Sequence, residues 1–482
     1  MKISQSEQKK LEFIEFYKKA SNAATGSKFD SNANVASKNI ATLQTELGKK
    51  DIIDLNRIIT SSYIKQLFGK KAAKQYRKDL KHHIIYTHDE SSLMPYCCSI
   101  SLYPYLISGL KDLGGSSQPP KHANSFIGGL INLVFLVAGQ FAGAVAIPEF
   151  LTYFDHFLRI DYGEDYIKHL DDIVESVGEH EFSLKHKIED WFQQFVYSIN
   201  QPAGARNYQS PFTNIAYFDK YYFEHIFGSD FVFPDGDMPS WESTKELQKM
   251  FMKWFNKERL QTVITFPVET ANILVENGKY KDEEMADFFA EMWAEGHSFF
   301  MYQSDSVDAL ASCCRLRNAV EDNSFSFSLG AGAIETGSKR VCTLNLNRII
   351  QDWYRKSHRR GLFKLFRYRG TLQDYIEAVV RRVHMYLRAW NKKLHDDFNA
   401  GILTVYKAGF IDLDKQFLTV GVNGFVEAAE FLGIKVDPDN EEYKQLARDV
   451  LGTIKRINSE DRDEHHRWNT EFVPKVFCGY LI

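Results

Sequence analysis

Six cysteines occur in 482 residues, and four of them fall in two vicinal pairs, Cys97-Cys98 and Cys313-Cys314. The second pair lies in Ser312-Cys313-Cys314-Arg315-Leu316-Arg317-Asn318, a run with basic residues and no clear helical or strand period. A sulfur on a short basic loop can be held as a thiolate, or can give up a hydrogen atom to a nearby radical. Taken alone, either pair also reads as two small buried hydrophobes, because no histidine partner adjoins it.

Two other stretches could serve a polar ligand. His88 closes His82-His83-Ile84-Ile85-Tyr86-Thr87-His88-Asp89, just before an extended segment, Met94 to Leu102, that carries Cys97 and Cys98. Neighbouring side chains of a strand point to opposite faces, so only one of these cysteines can look into a given pocket. His88 is then a candidate pocket residue, or a loop cap. Gly330 to Lys339 resembles a phosphate loop, but its order is Gly-Ser-Lys and no helix clearly follows, so it fails the context that motif requires. It is expected to be a glycine-rich turn feeding a strand over Val341–Leu346. Asn345 and Asn347, either side of Leu346, would then project from one face of that strand towards something polar.

The elements that must position these residues read as strands alternating with helices, which is an α/β pattern. Residues 1 to about 80 are helical by pattern, broken by a Ser-, Asn- and Ala-rich stretch from Ala20 to Lys38, with Asp51 a candidate N-cap. Ser243 is the expected cap of an amphipathic helix to Lys257. Thr371 to Trp390 is a second, with Leu372, Ile376, Val379, Val383 and Leu387 on one face. Phe126 to Ile147 is apolar enough to suggest a membrane span, but it holds Asn132 and Gln140 and is followed by Pro148-Glu149. A buried helix packed through small residues explains it better.

A hydrophobic content of 44% and a charged fraction of 25% suit a globular protein with a sizeable core. A net charge of -4 gives no electrostatic case for nucleic acid as a partner. The cysteine spacings are not a disulfide framework, and no membrane partner is expected, so a cytoplasmic location is the expectation.

Four motifs now stand in order: His88-Asp89 with Pro95-Tyr96-Cys97-Cys98; Ser312-Cys313-Cys314-Arg315; Thr343-Leu344-Asn345-Leu346-Asn347-Arg348; and Cys478-Gly479-Tyr480-Leu481. Together they resemble the anaerobic (class III) ribonucleoside triphosphate reductases of the glycyl radical enzymes, from about residue 80 to residue 474. The resemblance implies a ten-stranded α/β barrel with a central finger loop, expected here to be incomplete at the C-terminal end. It implies a helical region over 1–80, a reductase barrel over 81–474 and a short tail over 475–482. It also implies Cys314 as the thiyl radical site, Cys97 as the reducing cysteine and Gly479 as the glycyl radical. His88, Asn345, Ser338 and Cys313 are the implied substrate contacts. A separate 4Fe-4S, S-adenosylmethionine-dependent activating enzyme would install the radical, and formate or a thiol system would supply reductant. Ribonucleoside triphosphates, nucleotide effectors and a second copy of the chain are the implied partners.

Two departures qualify this. Family members carry a zinc site of two Cys-x-x-Cys pairs, and no Cys-x-x-Cys occurs here, so no metal site is expected. The chain also passes almost directly from Val473-Pro474 to the Gly479 motif. That leaves room for a second polypeptide completing the C-terminus, or for an inactive or split-gene fragment that binds nucleotide or a partner. A formate acyltransferase-like glycyl radical enzyme would share the vicinal cysteines, but needs no cysteine at the position of Cys97.

Overall fold

The computed structural model describes residues 4–19, 39–204, 209–305, 307, 309–312, 316–319, 334–359 and 365–472. They contain fourteen strands. These are β1 (Ile85–Thr87), β2 (Cys97–Ser99), β3 (Val145–Ala146), β4 (Ile173–Val177), β5 (His180–Ser183), β6 (Thr213–Phe218) and β7 (Val268–Glu276). The rest are β8 (Lys279–Tyr280), β9 (Phe300–Ser304), β10 (Ala309–Ser312), β11 (Leu316–Ala319), β12 (Thr336–Asn345), β13 (Phe417–Asn423) and β14 (Arg467–Phe472). Ten of them form largely parallel sheet, which bears out the α/β class and the expected strand number.

The chain divides into two units. The first comprises Met1–Asp51, Cys97–Thr336 and Leu403–Ile411. In it β2, β3, β6 and β7 run parallel in that order, with β9 parallel and β8 antiparallel on β7. Strand β6 is buried at all six positions, as expected of a parallel strand covered on both faces. Helices Ala123–Ala138, Phe150–Tyr162, Leu184–Ile199 and Trp241–Gln261 supply an aromatic core, with ring centroids 4.6 Å apart for Phe150 and Phe195 and 4.8 Å for Phe192 and Phe251.

Of the apolar run from Phe126 to Ile147, Val145–Ala146 is strand β3, and only the part up to Ala138 is the expected buried helix. Gly129 is what lets it pack: a Cβ there would lie 1.8 Å from the Tyr105 hydroxyl, which instead donates to the Ser125 and Phe126 carbonyls. No helix among the described residues is long and apolar enough to cross a membrane. Ser243 does not cap its helix. Ser240 does, accepting from the Ser243 amide, while the Ser243 hydroxyl donates to buried Asp155 at 2.9 Å. Asp51 likewise caps nothing, because the helix runs from Ile40 to Lys81; its carboxylate pairs with Lys10 at 2.7 Å.

The second unit comprises Ile52–Tyr96, Gly337–Ile402 and Asp412–Ile482. Strands β12, β13 and β14 run parallel, and β1 pairs antiparallel with β12. The helix Leu372–Asn399 starts with a capping box, in which the Thr371 hydroxyl accepts from the Asp374 amide and the Asp374 carboxylate accepts from the Thr371 amide. Such a cap stabilises a helix by about 1 kcal/mol. Its Ile376, Val379, Val380, Val383 and Leu387 pack into one core with Leu344, Ile349, Val420, Ile454 and Trp468. Helix Glu441–Glu460 supplies Ile454 to that core, its start capped by Asn440.

Candidate active site

Strand β2 carries the vicinal pair Cys97-Cys98, and both cysteines are buried. The Cys98 amide donates to Ala144 and the Ile100 amide to Ala146, which fixes the strand against β3. Alternation places Cys97 and Ser99 on one side of this strand and Cys98 on the other, and all three are buried.

The end of the segment is held by Glu149, three residues beyond β3. Its carboxyl accepts the Leu102 amide at 2.6 Å and the Tyr153 hydroxyl at 3.2 Å. Burial pushes this carboxyl up to about 8, against the opposing pull of those hydrogen bonds. Only the position of Pro148-Glu149, straight after the apolar run, signalled it in the sequence. A charged residue at the end of a buried element is otherwise read simply as its stop.

In the second unit, His88 follows β1 and is buried. Its amide donates to Val341, and its Nε2 lies 2.9 Å from the Thr343 hydroxyl oxygen. Tyr86 and Tyr96 approach the imidazole edge-on, with ring centroids at 4.9 and 5.9 Å. Thr343 has room for this bond because its neighbour in β13 is Gly421. A Cβ on Gly421 would lie 2.2 Å from the Thr343 hydroxyl oxygen.

The strand predicted over Val341–Leu346 begins earlier, at Thr336, and ends at Asn345. The Gly-Ser-Lys run is therefore not a turn but the buried start of β12. The Ser338 hydroxyl meets Thr419 at 2.7 Å and also donates to the Arg340 carbonyl at 3.3 Å. Lys339 is fully buried and donates to Asn391 Oδ1 at 2.6 Å, with burial lowering its ammonium to about 8. The buried Arg340 guanidinium stacks 4.0 Å from the centre of the Trp390 ring. Cys342 lies opposite Thr87, and burial raises its thiol to about 12, which makes it a poor thiolate.

Asn345 and Asn347 do not share a strand face. Asn345 is the N-cap of helix Leu346–Ser357, its Oδ1 accepting from the Arg348 amide at 3.0 Å, and Asn347 sits inside that helix, bonded to Gln351. The N-cap preference of Asn, followed by an amphipathic helix, was a signal already present in the sequence. His88, Thr343 and Asn345 are thus brought together around the end of β12, joined further by the Asn345 amide donating to Ile84.

Cys313, Cys314 and Gly479 lie outside the described residues. On either side of the cysteine pair, β10 and β11 run antiparallel, with Ser312 opposite Leu316. No group of three or more metal-ligating side chains occurs among the described residues.

The family model of the anaerobic ribonucleoside-triphosphate reductases matches residues 48–475. Among solved structures, the chain is similar to the anaerobic ribonucleotide reductase from Thermotoga maritima with citrate in the active site. That match has 28% identity and a TM-score of 0.75, and covers 91% of this chain and 75% of that one. The same organism's enzyme in complex with dATP and CTP matches at 29% identity and a TM-score of 0.75, covering 90% of this chain and 69% of the other. Its form with dATP bound in the specificity site matches at 26% identity and a TM-score of 0.74, covering 98% and 77%. No curated protein matches the chain. The matched span holds both vicinal cysteine pairs and the whole of β12, and the chain belongs to the anaerobic ribonucleoside-triphosphate reductases, enzymes that reduce ribonucleotides by radical chemistry.

Proposed function

We propose that this chain reduces ribonucleoside triphosphates with Cys314 as the thiyl radical and Cys97 as the reducing cysteine, the radical being stored on Gly479. Glycine suits storage because no side chain opposes planarity at the α-carbon. The Cys314 thiyl takes the ribose 3′ hydrogen. The 2′ hydroxyl then leaves as water, with Cys97 supplying a proton and reducing equivalents, and formate or a thiol system restores the reductant. The observation that carries this reading is Cys97 itself: a buried sulfur on the same side of its strand as Ser99, within the matched span.

His88, Asn345, Ser338 and Cys313 are the proposed substrate contacts. Residues 81–474 form the reductase body in this reading, with 1–80 a helical region and 475–482 the radical-bearing tail. CTP and dATP, bound by the relative, represent the expected substrate and effector classes. A 4Fe-4S, S-adenosylmethionine-dependent activating enzyme installs the radical, and the working form is a cytoplasmic homodimer.

Anaerobic co-expression with an activating enzyme tests this. A glycyl doublet in the electron paramagnetic resonance spectrum, lost in Gly479→Ala, supports radical storage on this chain. Absence of the doublet, with activity only after a second polypeptide is added, places the radical elsewhere.

A further inference from the structure

Cys97 and Ser99 share one side of strand β2, and Cys97 is the proposed reductant. Ser99 is 0% exposed, and its hydroxyl has no hydrogen-bond partner among the described residues. A buried hydroxyl without a partner costs about 1–3 kcal/mol. The residue opposite Ser99 in β3 is Ala146, whose methyl offers no donor or acceptor. Ser99 is therefore a polar group placed where folding alone gains nothing from it.

Its spacing from Cys97 narrows what it serves. Two residues along a strand are separated by roughly 6.6 Å. That is too far for the Ser99 hydroxyl to bond the Cys97 sulfur directly. It matches a single oxygen lying between them, at about 2.8 Å from the serine oxygen and at contact distance from the sulfur. In the reaction proposed above, the oxygen that must sit beside Cys97 is the ribose 2′ hydroxyl.

We infer that Ser99 is a further binding residue of the nucleotide site, its hydroxyl holding the ribose 2′ hydroxyl beside the Cys97 sulfur. The inference rests on the reading of Cys97 as reductant. A site with a hydroxyl set to meet a ligand hydroxyl disfavours the analogue that lacks it, because the serine is then left unpaired.

The test is binding of CTP and of dCTP to the whole chain by calorimetry, without activating enzyme so that nothing turns over. The wild type is expected to bind CTP about fivefold more tightly than dCTP. Ser99→Ala is expected to bring that ratio close to one and to leave thermal unfolding unchanged or slightly raised, since the hydroxyl it removes is unpaired in the protein alone. Ser99→Thr, which keeps a hydroxyl, should retain a preference for CTP. An unchanged ratio in Ser99→Ala, no preference in the wild type, or a clear loss of thermal stability in Ser99→Ala overturns the inference. Protection of Cys97 from alkylation by CTP separates the two layers. Without protection the Cys97 reading fails, whereas protection with an unchanged Ser99→Ala ratio removes the role of Ser99 alone.

Discussion

The imidazole Nε2 of His88 lies 2.9 Å from the hydroxyl oxygen of Thr343, joining the turn after β1 to β12 two residues before that strand ends. Both groups are buried, so removing either one takes a buried hydrogen bond from the other. His88→Phe and Thr343→Val are each expected to cost about 1–3 kcal/mol, and the double variant less than their sum. Denaturant unfolding of the four proteins checks this. Strict additivity would show that the contact carries no energy.

Gly421 bears on the same contact. Gly421→Ala places a methyl against the Thr343 hydroxyl, a clash that must displace the threonine or part β12 from β13. We expect a loss of about 1–3 kcal/mol, as for other overpacked cores. In the Thr343→Ala background the loss should be smaller, because the hydroxyl that the new methyl would meet is gone. Thermal unfolding of the single and double variants reads this out.

Asn345 has two roles that substitution separates. Asn345→Asp keeps an oxygen to cap helix Leu346–Ser357 and loses only the amide donor, whereas Asn345→Ala loses both. Stability should fall by about 1 kcal/mol in the alanine variant and hardly at all in the aspartate variant. If Asn345 also contacts substrate, nucleotide binding should weaken in both. Nucleotide affinity that follows stability would confine Asn345 to capping.

Glu149 gives a pH dependence. Its carboxyl is pushed by burial from 4.5 to about 8, so the folded protein holds the proton more tightly than the unfolded chain. Its contribution to stability is therefore fully present below pH 4.5 and is lost as the pH rises to about 8. Glu149→Gln imitates the protonated acid, still accepts the Leu102 amide, and should flatten stability across that window. An unaltered pH profile would show that Glu149 does not titrate there.

Lys339 tests the buried start of β12. Lys339→Met removes the donor to Asn391 Oδ1 and should cost about 1–3 kcal/mol; adding Asn391→Leu should recover part of it by removing the stranded acceptor too. Thermal unfolding distinguishes this from simple loss of packing, which the second substitution would not relieve.

The sequence showed the cysteine pairs, the α/β class and the buried helix after Lys121, because each depends on residue types close together in the chain. What it missed depends on distant neighbours. Asn345 and Asn347 looked like a strand pair because nothing in Leu344-Asn345-Leu346 says where a strand stops; the cap that stops it became evident only with the Arg348 amide in place. Ser338 and Lys339 looked like turn residues beside glycines, yet Thr419 and Asn391, some 81 and 52 positions away, give them buried partners. Ser243 looked like a helix cap, yet its hydroxyl donates to Asp155, 88 positions away. Polar residues buried by long-range partners carry no local signature, and most of the unanticipated site residues are of this kind.

Deoxynucleotide formation by the Cys314→Ala variant tests the central claim most directly. The whole chain, treated anaerobically with an activating enzyme and S-adenosylmethionine, is given ribonucleoside triphosphate with formate or a thiol system. The account predicts product from the wild type and none above background from Cys314→Ala, with the protein still folded and still binding nucleotide. Product from Cys314→Ala at the wild-type rate would contradict it.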